Sequence, residues 1–417
     1  MKSEEKKIYV WFNHRNSLIN MGILFVSNVR GNEVFAFEFS NEFLSSPFKT
    51  IFIDQDIGNY IGKQYLYDGK EIFNVFSDLM PDRWGRKLLG RRERFLAKKE
   101  GRKPKKLMAS DYLLGVSDEG RMGCIRLSES KDGDFVSNSK EIEVPPIEDI
   151  RALEQMALEF EENDEVDNAW IEQLIGPGSS LGGARPKVTI KDRDGSLWIA
   201  KFPSKNDDYD VGAWEKVSND LAVLCGLNVP ESRLLQFSKY GSIFLSKRFD
   251  RNGNERIHFI SAMTALGKSD GDGESTGIGY SDIASFVISY GISPESDIFE
   301  LWKRMVFNIA ISNCDDHLRN HGFLLSKTGY KLAPAYDLNP SIGGKGLSLN
   351  VFGESNELSF KLALDEAKEL GIDEAEAKAE IDKIKGIVSS NWKDLAIKYK
   401  IDKSQISLLS DCFSFND

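Results

Sequence analysis

Hydrophobic and polar positions along the chain divide it into segments of different period. "KIYVWF" (7–12), "GILFVS" (22–27) and "EVFAFEFS" (33–40) are short, aromatic and β-branched, with the turn signal "RGNE" between the last two. They predict a strand-rich opening that reaches about residue 53. From Asn74 the pattern becomes helical and basic, and it runs on to "ASDYLLGVSDEGRMGCIRL" (109–127). Residues 128–146 are polar, turn-rich and end in Pro145-Pro146, the composition of a linker. A helix is expected from near Ile147 through "IRALEQMALEFEEN", whose apolar spacing suits one buried face. "KVTI" and "LWIAKF" read as strands joined by the hairpin signal "KDRDGS", "DVGAWEKVSNDLAVLCGLNV" as an amphipathic helix, and "SIFLSKRFDR" as a further strand. The rest is mostly helical. "SDIFELWKRMVFNIAISN" is apolar nearly all round, which predicts a buried helix. "KSDGDGESTGIGYS" (268–281) is the loosest piece and is expected to be a loop.

Length and composition add bounds. A chain of 417 residues exceeds the roughly 150 residues of an average domain, so two or three folding units are expected. With 41% hydrophobic and 29% charged residues the composition is that of an ordinary globular protein. The formal charge, 54 − 65 = −11, argues against nucleic-acid binding through bulk charge. One densely cationic stretch, Arg83 to Leu107, stands against that background as a solvated helix face and loop, or as a contact for phosphates or an acidic partner. Cys124, Cys225, Cys314 and Cys412 are far apart and form no CxxC pair, which points to reduced thiols in the cytoplasm. The start "MKSEEKKIYVWF" lacks the apolar segment of a secretory signal, and no run approaches the ~18–20 apolar residues of a membrane span.

Chemistry concentrates in four places. "GPGSSLGGARPKV" (176–188) has glycines that let a backbone approach phosphates, the hydroxyls of Ser179 and Ser180, and the charge of Lys187. It matches neither the Walker A pattern nor G-x-G-x-x-G, and taken alone it reads better as a plain structural turn. Lys201 lies on an apolar strand, where an ammonium needs water or an anion. Glu215 on the following helix is a possible partner, and a strand lysine paired with a helix glutamate is how kinases hold ATP phosphates. In "NCDDHLRNHGFLL", Asp315 precedes Asn320 by five residues, the spacing of a kinase catalytic loop. Such a loop supplies a carboxylate to orient the attacking hydroxyl and an oxygen ligand for magnesium. Asp337 in "APAYDLNPS" would complete the magnesium shell with a charged oxygen. Zinc on His317 and His321 is a poor alternative, because the glutamate of H-E-x-x-H is missing. A calcium loop in "DGDGESTGIGYS" fails at Ser275 and Ser281, where a glycine and a glutamate are required.

Taken in order, "SSLGGARPK", "IAKFP", "SKRFDR", "NCDDHLRNHGFLL" and "APAYDLNPS", together with "LMPDRWGRKLLGRR" earlier in the chain, resemble the HipA-type serine/threonine kinases, the toxin halves of bacterial toxin–antitoxin pairs. The resemblance runs from about Ser77 to about Ser341. It implies an α+β, two-lobed protein-kinase-like fold with a mainly helical C-terminal lobe and an N-terminal α+β accessory subdomain. The expected divisions are 1–127 for the accessory subdomain, 128–146 for the linker, 147–255 for the kinase N-lobe and 256–417 for the C-lobe.

The resemblance also implies roles. Asp315 is the catalytic base, and Asn320 and Asp337 hold Mg²⁺. Lys201 contacts the ATP phosphates, and Gly182, Gly183, Ala184, Arg185, Pro186 and Lys187 form the phosphate loop. Lys247 and Phe249 line the hinge, with His317, Tyr336 and Asp337 beside the nucleotide and Glu215 in support. Ser180, or its neighbour Ser179, is the autophosphorylated serine. Arg185-Pro186-Lys187 stands where some members have Gln-Glu-Lys, and Lys247 where a hinge glutamate is usual. The implied cofactors are ATP and Mg²⁺. The implied partners are a small helix-turn-helix antitoxin of the HipB type, which makes most of the DNA contact, and a protein of the translation machinery such as an aminoacyl-tRNA synthetase. No membrane is involved. Two alternatives stay open on the residues alone: a catalytically silent module that docks an antitoxin, and a kinase or nucleotidyl transferase acting on a small molecule.

Overall fold

The computed structural model describes residues 5–66, 69–136, 144–162, 174, 183 and 185–415. Ser179, Ser180, Gly182 and Ala184 lie outside the described residues. The chain forms two compact units, and neither is continuous in sequence. The first comprises residues 1–202, 250–260 and 267–269, and the second residues 203–249, 261–266 and 270–417.

In the first unit, strands β1 (Lys6–His14), β2 (Ser17–Val29) and β3 (Asn32–Phe39) form an antiparallel meander. Its two-residue turns, Arg15-Asn16 and Arg30-Gly31, have positive φ at both positions, the backbone that matches the twist of paired strands. β4 (Gln64–Tyr65) and β5 (Ile125–Ser128) flank the meander in the order β4-β3-β2-β1-β5. Alternation places Ile8, Val10, Phe12 and His14 on one buried face. Phe39 stacks on Phe43 at 5.0 Å beneath the sheet. The helix Arg83–Lys99 starts where the Asp82 carboxylate accepts from Gly85 N at 2.8 Å, and it buries Trp84, Leu88, Leu89 and Ala97. The helix Ile150–Glu162 buries Ile150, Leu153, Ala157 and Phe160, the expected single face, and Phe160 meets Trp84 edge-on at 4.9 Å. β6 (Lys187–Lys191) and β7 (Leu197–Lys201) make the expected hairpin.

These units are drawn along different lines from the expected domains 1–127, 147–255 and 256–417. Residues 144–162 and 185–202 belong to the first unit, where Phe160 packs on Trp84 and Lys187 pairs with Asp82. Residues 250–260 return to the same unit. The buried Asp250 carboxylate accepts from Gly123 N at 2.7 Å, and the Arg256 guanidinium reaches Asp118 at 2.8 Å.

The second unit is mainly helical. Asp210 caps the helix Val211–Leu224, which packs on the hairpin of β8 (Ser232–Ser238) and β9 (Gly241–Lys247). The helices Tyr280–Tyr290, Pro294–Ala310, Phe360–Glu369 and Glu374–Lys398 enclose a core in which Trp302 Nε1 donates to the Ala363 carbonyl at 2.7 Å. Trp392 and Phe413 stack at 4.8 Å, with Trp214 beside them. The expected α+β class therefore stands. Residues 268–281 depart from expectation. They contain a 3₁₀ turn at Glu274–Thr276, and they deliver Ile278 and Tyr280 to the core at 5% and 0% exposure. Glycine and serine content hid these two anchors. Among the described residues no helix is long and apolar enough to cross a membrane.

Candidate active site

The buried helix Pro294–Ala310 begins with proline at its first position and ends in a sharp reversal, with Ser312 at φ +52°. That turn is held from two directions. Ser341 N donates to the Ser312 carbonyl at 3.0 Å, and Ser312 Oγ donates to the Cys412 carbonyl at 3.1 Å. Next along the chain, Cys314 N donates to Ser341 Oγ at 3.1 Å and Ser348 Oγ donates to the Cys314 carbonyl at 2.7 Å. The segment that follows therefore leaves the core in one defined direction.

Asp315 is exposed. The Asn320 side chain closes the loop behind it, with Nδ2 donating to the Asp315 carbonyl at 2.9 Å while Asn320 N donates to the His317 carbonyl at 2.8 Å. The bond uses the amide nitrogen of Asn320 and not its oxygen. Leu318–Asn320 is a single 3₁₀ turn, so His317 and His321 do not share an α-helical face. His321 Nε2 instead lies 2.9 Å from Asp316 Oδ2.

Asp316 belongs to a polar cluster beneath the loop that sequence reasoning missed. Its Oδ2 also accepts a short hydrogen bond from the Tyr280 hydroxyl. Asn308 Nδ2 reaches the same hydroxyl at 3.4 Å, and Asn313 Nδ2 donates to Asn308 Oδ1 at 3.0 Å. All five side chains are 3% exposed or less. Burial alone would raise the Asp316 carboxyl, but His321, Tyr280 and His317 outweigh it and hold the group below the usual carboxylate range. Burial, with the neighbouring Asp316 charge, pushes the Tyr280 hydroxyl well above its ordinary value. The sequence did hold a signal, a second aspartate beside the first, but Tyr280 sat in the segment taken for a loop.

Asp337 has φ +63°, a left-handed conformation uncommon outside glycine and enriched at functional sites. Its Oδ1 accepts from Asn339 Nδ2 at 3.1 Å. Tyr336, one residue earlier, donates its hydroxyl to the Arg319 carbonyl at 2.7 Å and packs on Phe249 with ring centroids 5.6 Å apart. One side chain thus joins the end of β9 to the loop and to the Asp337 turn. Lys247 lies 3.4 Å from Glu231. The second unit thereby carries Asp315, His317, Asn320, Tyr336, Asp337 and Phe249 on one framework.

The other expected residues divide between the two units. Glu215 is 3% exposed on the helix Val211–Leu224 of the second unit. Lys201 is half-buried at the end of β7 in the first unit. Gly183, Arg185 and Pro186 precede β6 in the first unit, where Lys187 is 3% exposed and pairs with Asp82 at 3.1 Å.

The donor set of Asn320 and Asp337 is oxygen only and suits a hard cation. Magnesium in phosphoryl-transfer sites takes one or two carboxylates and completes its shell with phosphates and water, so two protein oxygens fit it. Among the described residues no group of three or more His, Cys, Asp or Glu side chains could hold a metal ion. All four cysteines are free thiols.

Comparison with known proteins follows this geometry. The serine/threonine-protein kinase toxin HipA of Shewanella oneidensis is 23% identical over 188 residues, 39% of this chain and 43% of that protein. "Putative kinase Y4dM" of Sinorhizobium fredii is 25% identical over 329 residues, covering 70% of this chain and 73% of that protein. A protein of Haemophilus influenzae named "Putative kinase" is 26% identical over 180 residues, 38% of this chain and 52% of its own length. This match spans about half the length of that relative. Among solved structures, the Shewanella oneidensis MR-1 complex of HipA, HipB and operator DNA contains a chain that superposes with a TM-score of 0.66 at 17% identity, covering 97% of this chain and 95% of that one. That likeness carries the fold, which is the expected HipA-like one. The model of the HipA-like C-terminal domain matches residues 179–392, half of the chain, and the protein belongs to that family.

Proposed function

We propose that this protein is a Mg²⁺-dependent kinase that moves the γ-phosphoryl group of ATP to a serine or threonine of a protein. The observation that carries the reading is the loop closed by Asn320 Nδ2 on the Asp315 carbonyl, which offers an exposed aspartate and, five residues on, an amide whose oxygen is not the atom used in that bond. Asp315 accepts the proton of the acceptor hydroxyl as that oxygen bonds to the γ-phosphorus, and the bridging P–O bond breaks to release ADP. Asn320 and Asp337 are the residues that would hold Mg²⁺, which neutralises phosphate charge when bound. Phe249 and Tyr336 offer aromatic surface to the base of the nucleotide, and Lys201 is its phosphate cation.

The relatives named as kinases and the HipA toxin among them support the wider role, that of a toxin paired with a HipB-like helix-turn-helix antitoxin. In that role the antitoxin makes most of the DNA contact, and the target is a protein of the translation machinery. Phosphorylation of Ser180, or of Ser179, would bring nearly two negative charges into a loop meant for ATP phosphates and so silence the enzyme. Cytoplasmic operation follows from the same role.

The test is intact-mass analysis of phosphatase-treated protein before and after Mg-ATP, beside Asp315→Asn. One added phosphoryl group in the wild type alone, mapped to Ser179 or Ser180, is the expected result. Wild type and Asp315→Asn gaining phosphate equally would contradict the assignment of Asp315.

A further inference from the structure

The motif "LMPDRWGR" in the first unit has no part in the site described above, yet its aspartate makes a buried ion pair. Asp82 Oδ2 lies 3.1 Å from Lys187 Nζ, and the two side chains are 2% and 4% exposed. The same carboxylate caps the helix Arg83–Lys99 through Gly85 N at 2.8 Å. Asp82 therefore ties the start of a long helix to the last residue of the glycine segment.

Three features say that this pair does more than stabilise. Lys187 and Lys201 stand directly opposite in the β6–β7 register, and like charges at such positions repel. Gly183 arches over the Lys187 ammonium at φ +112°, where an added Cβ would come within 2.8 Å of Nζ. Gly183 thus lies close against this ammonium. Burial also raises the Asp82 carboxyl against the pull of Lys187 and the Gly85 amide. Buried ion pairs are weak contributors to stability compared with apolar packing, so what this one offers is fixed geometry.

We propose that Asp82 is a positioning residue for the nucleotide site: it draws the Lys187 ammonium inward, anchors the end of the glycine segment, and leaves Lys201 as the lysine of that pair that meets phosphate. Lys187 then acts on ATP through the loop it anchors. The inference rests on the kinase reading above.

The experiment measures Mg-ATP affinity by calorimetry, with KM, kcat and Tm, for four variants. Asp82→Glu keeps the charge and shifts it by one methylene. It is expected to weaken ATP about tenfold, the effect of one mis-set charged contact, with kcat and Tm near wild type. Asp82→Asn combined with Lys187→Met removes both charges, and with them the anchor, and is expected to weaken ATP about tenfold, as Asp82→Glu does, while stability stays near wild type. Lys187→Met alone strands a buried carboxylate and is expected to bind worse than that double variant; Lys201→Met is expected to lose ATP. Unchanged affinity in Asp82→Glu would overturn the proposal. So would a double variant as defective as Lys201→Met, because Lys187 would then be a direct phosphate ligand. If Lys187→Met fails to fold, Asp82→Glu and the double variant decide. Wild-type protein that binds no Mg-ATP overturns the kinase reading itself, whereas binding that Asp82→Glu leaves untouched overturns only this assignment.

Discussion

Asp315 is exposed, while Asp316, one residue later, is 3% exposed and holds Tyr280 and His321. The two neighbours should fail differently. Asp315→Asn is expected to abolish phosphoryl transfer while stability stays within about 1 kcal/mol, as for a surface change. Asp316→Asn replaces a buried, doubly bonded carboxylate and is expected to cost about 3 kcal/mol in urea unfolding, the scale of a broken buried charge contact. Equal stability losses for both would contradict this division. A second residue-scale prediction concerns His14 and His258. They are 3% and 1% exposed, with His258 N donating to His14 Nδ1 at 3.2 Å. Burial, then Arg15, lowers His14 to about 4, and burial, then His14, lowers His258 to about 3. The folded state thus refuses protons that the unfolded chain accepts below its ordinary value of about 6.5. Their contribution to stability is complete above that pH and is lost as pH falls through about 6.5 towards 3–4. Replacing His258 with leucine should flatten the stability–pH slope in that window; an unchanged slope would mean that the pair does not titrate on unfolding.

At the level of elements, the period of the sequence decided most of what could be read. The meander, the β6–β7 hairpin and the buried helix Pro294–Ala310 follow from alternation, turn residues and an apolar run, all of which are local. Residues 268–281 did not yield to the same reasoning. Tyr280 is placed by bonds to Asp316 and a bridge from Gly279 to Asn350, and no local pattern encodes those partners. Within the site, Asp315 and Asn320 were legible from spacing, whereas Asp82 and Lys187 meet across a hundred residues of chain. Glycine placement gives the element-scale prediction. A Cβ on Gly212 would lie 2.2 Å from the Ser242 carbonyl oxygen, beside the point where Asp210 caps the helix and accepts from Ser242 N at 2.8 Å. Gly212→Ala should therefore destabilise by about 2–3 kcal/mol, although alanine is the better helix former by about 1 kcal/mol. A neutral or stabilising result in thermal unfolding would show that the helix can shift off the hairpin.

For the molecule as a whole, the discontinuous units set what can be cut. A fragment ending at Phe202 lacks Asp250 and Arg256, which hold Gly123 and Asp118. It is expected to unfold at lower urea than the first unit within the full chain, followed by tryptophan fluorescence; equal midpoints would mean that residues 250–260 add nothing. The central proposal is that, in the second unit, Asp315 serves as base while Asn320 and Asp337 hold Mg²⁺. Calorimetric titration with ATP, with and without Mg²⁺, tests it most directly. The expected result is Mg²⁺-dependent binding in the wild type, retained in Asp315→Asn and lost in Asp337→Asn. No binding by the wild type, or Asp337→Asn binding Mg-ATP as the wild type does, would contradict the account.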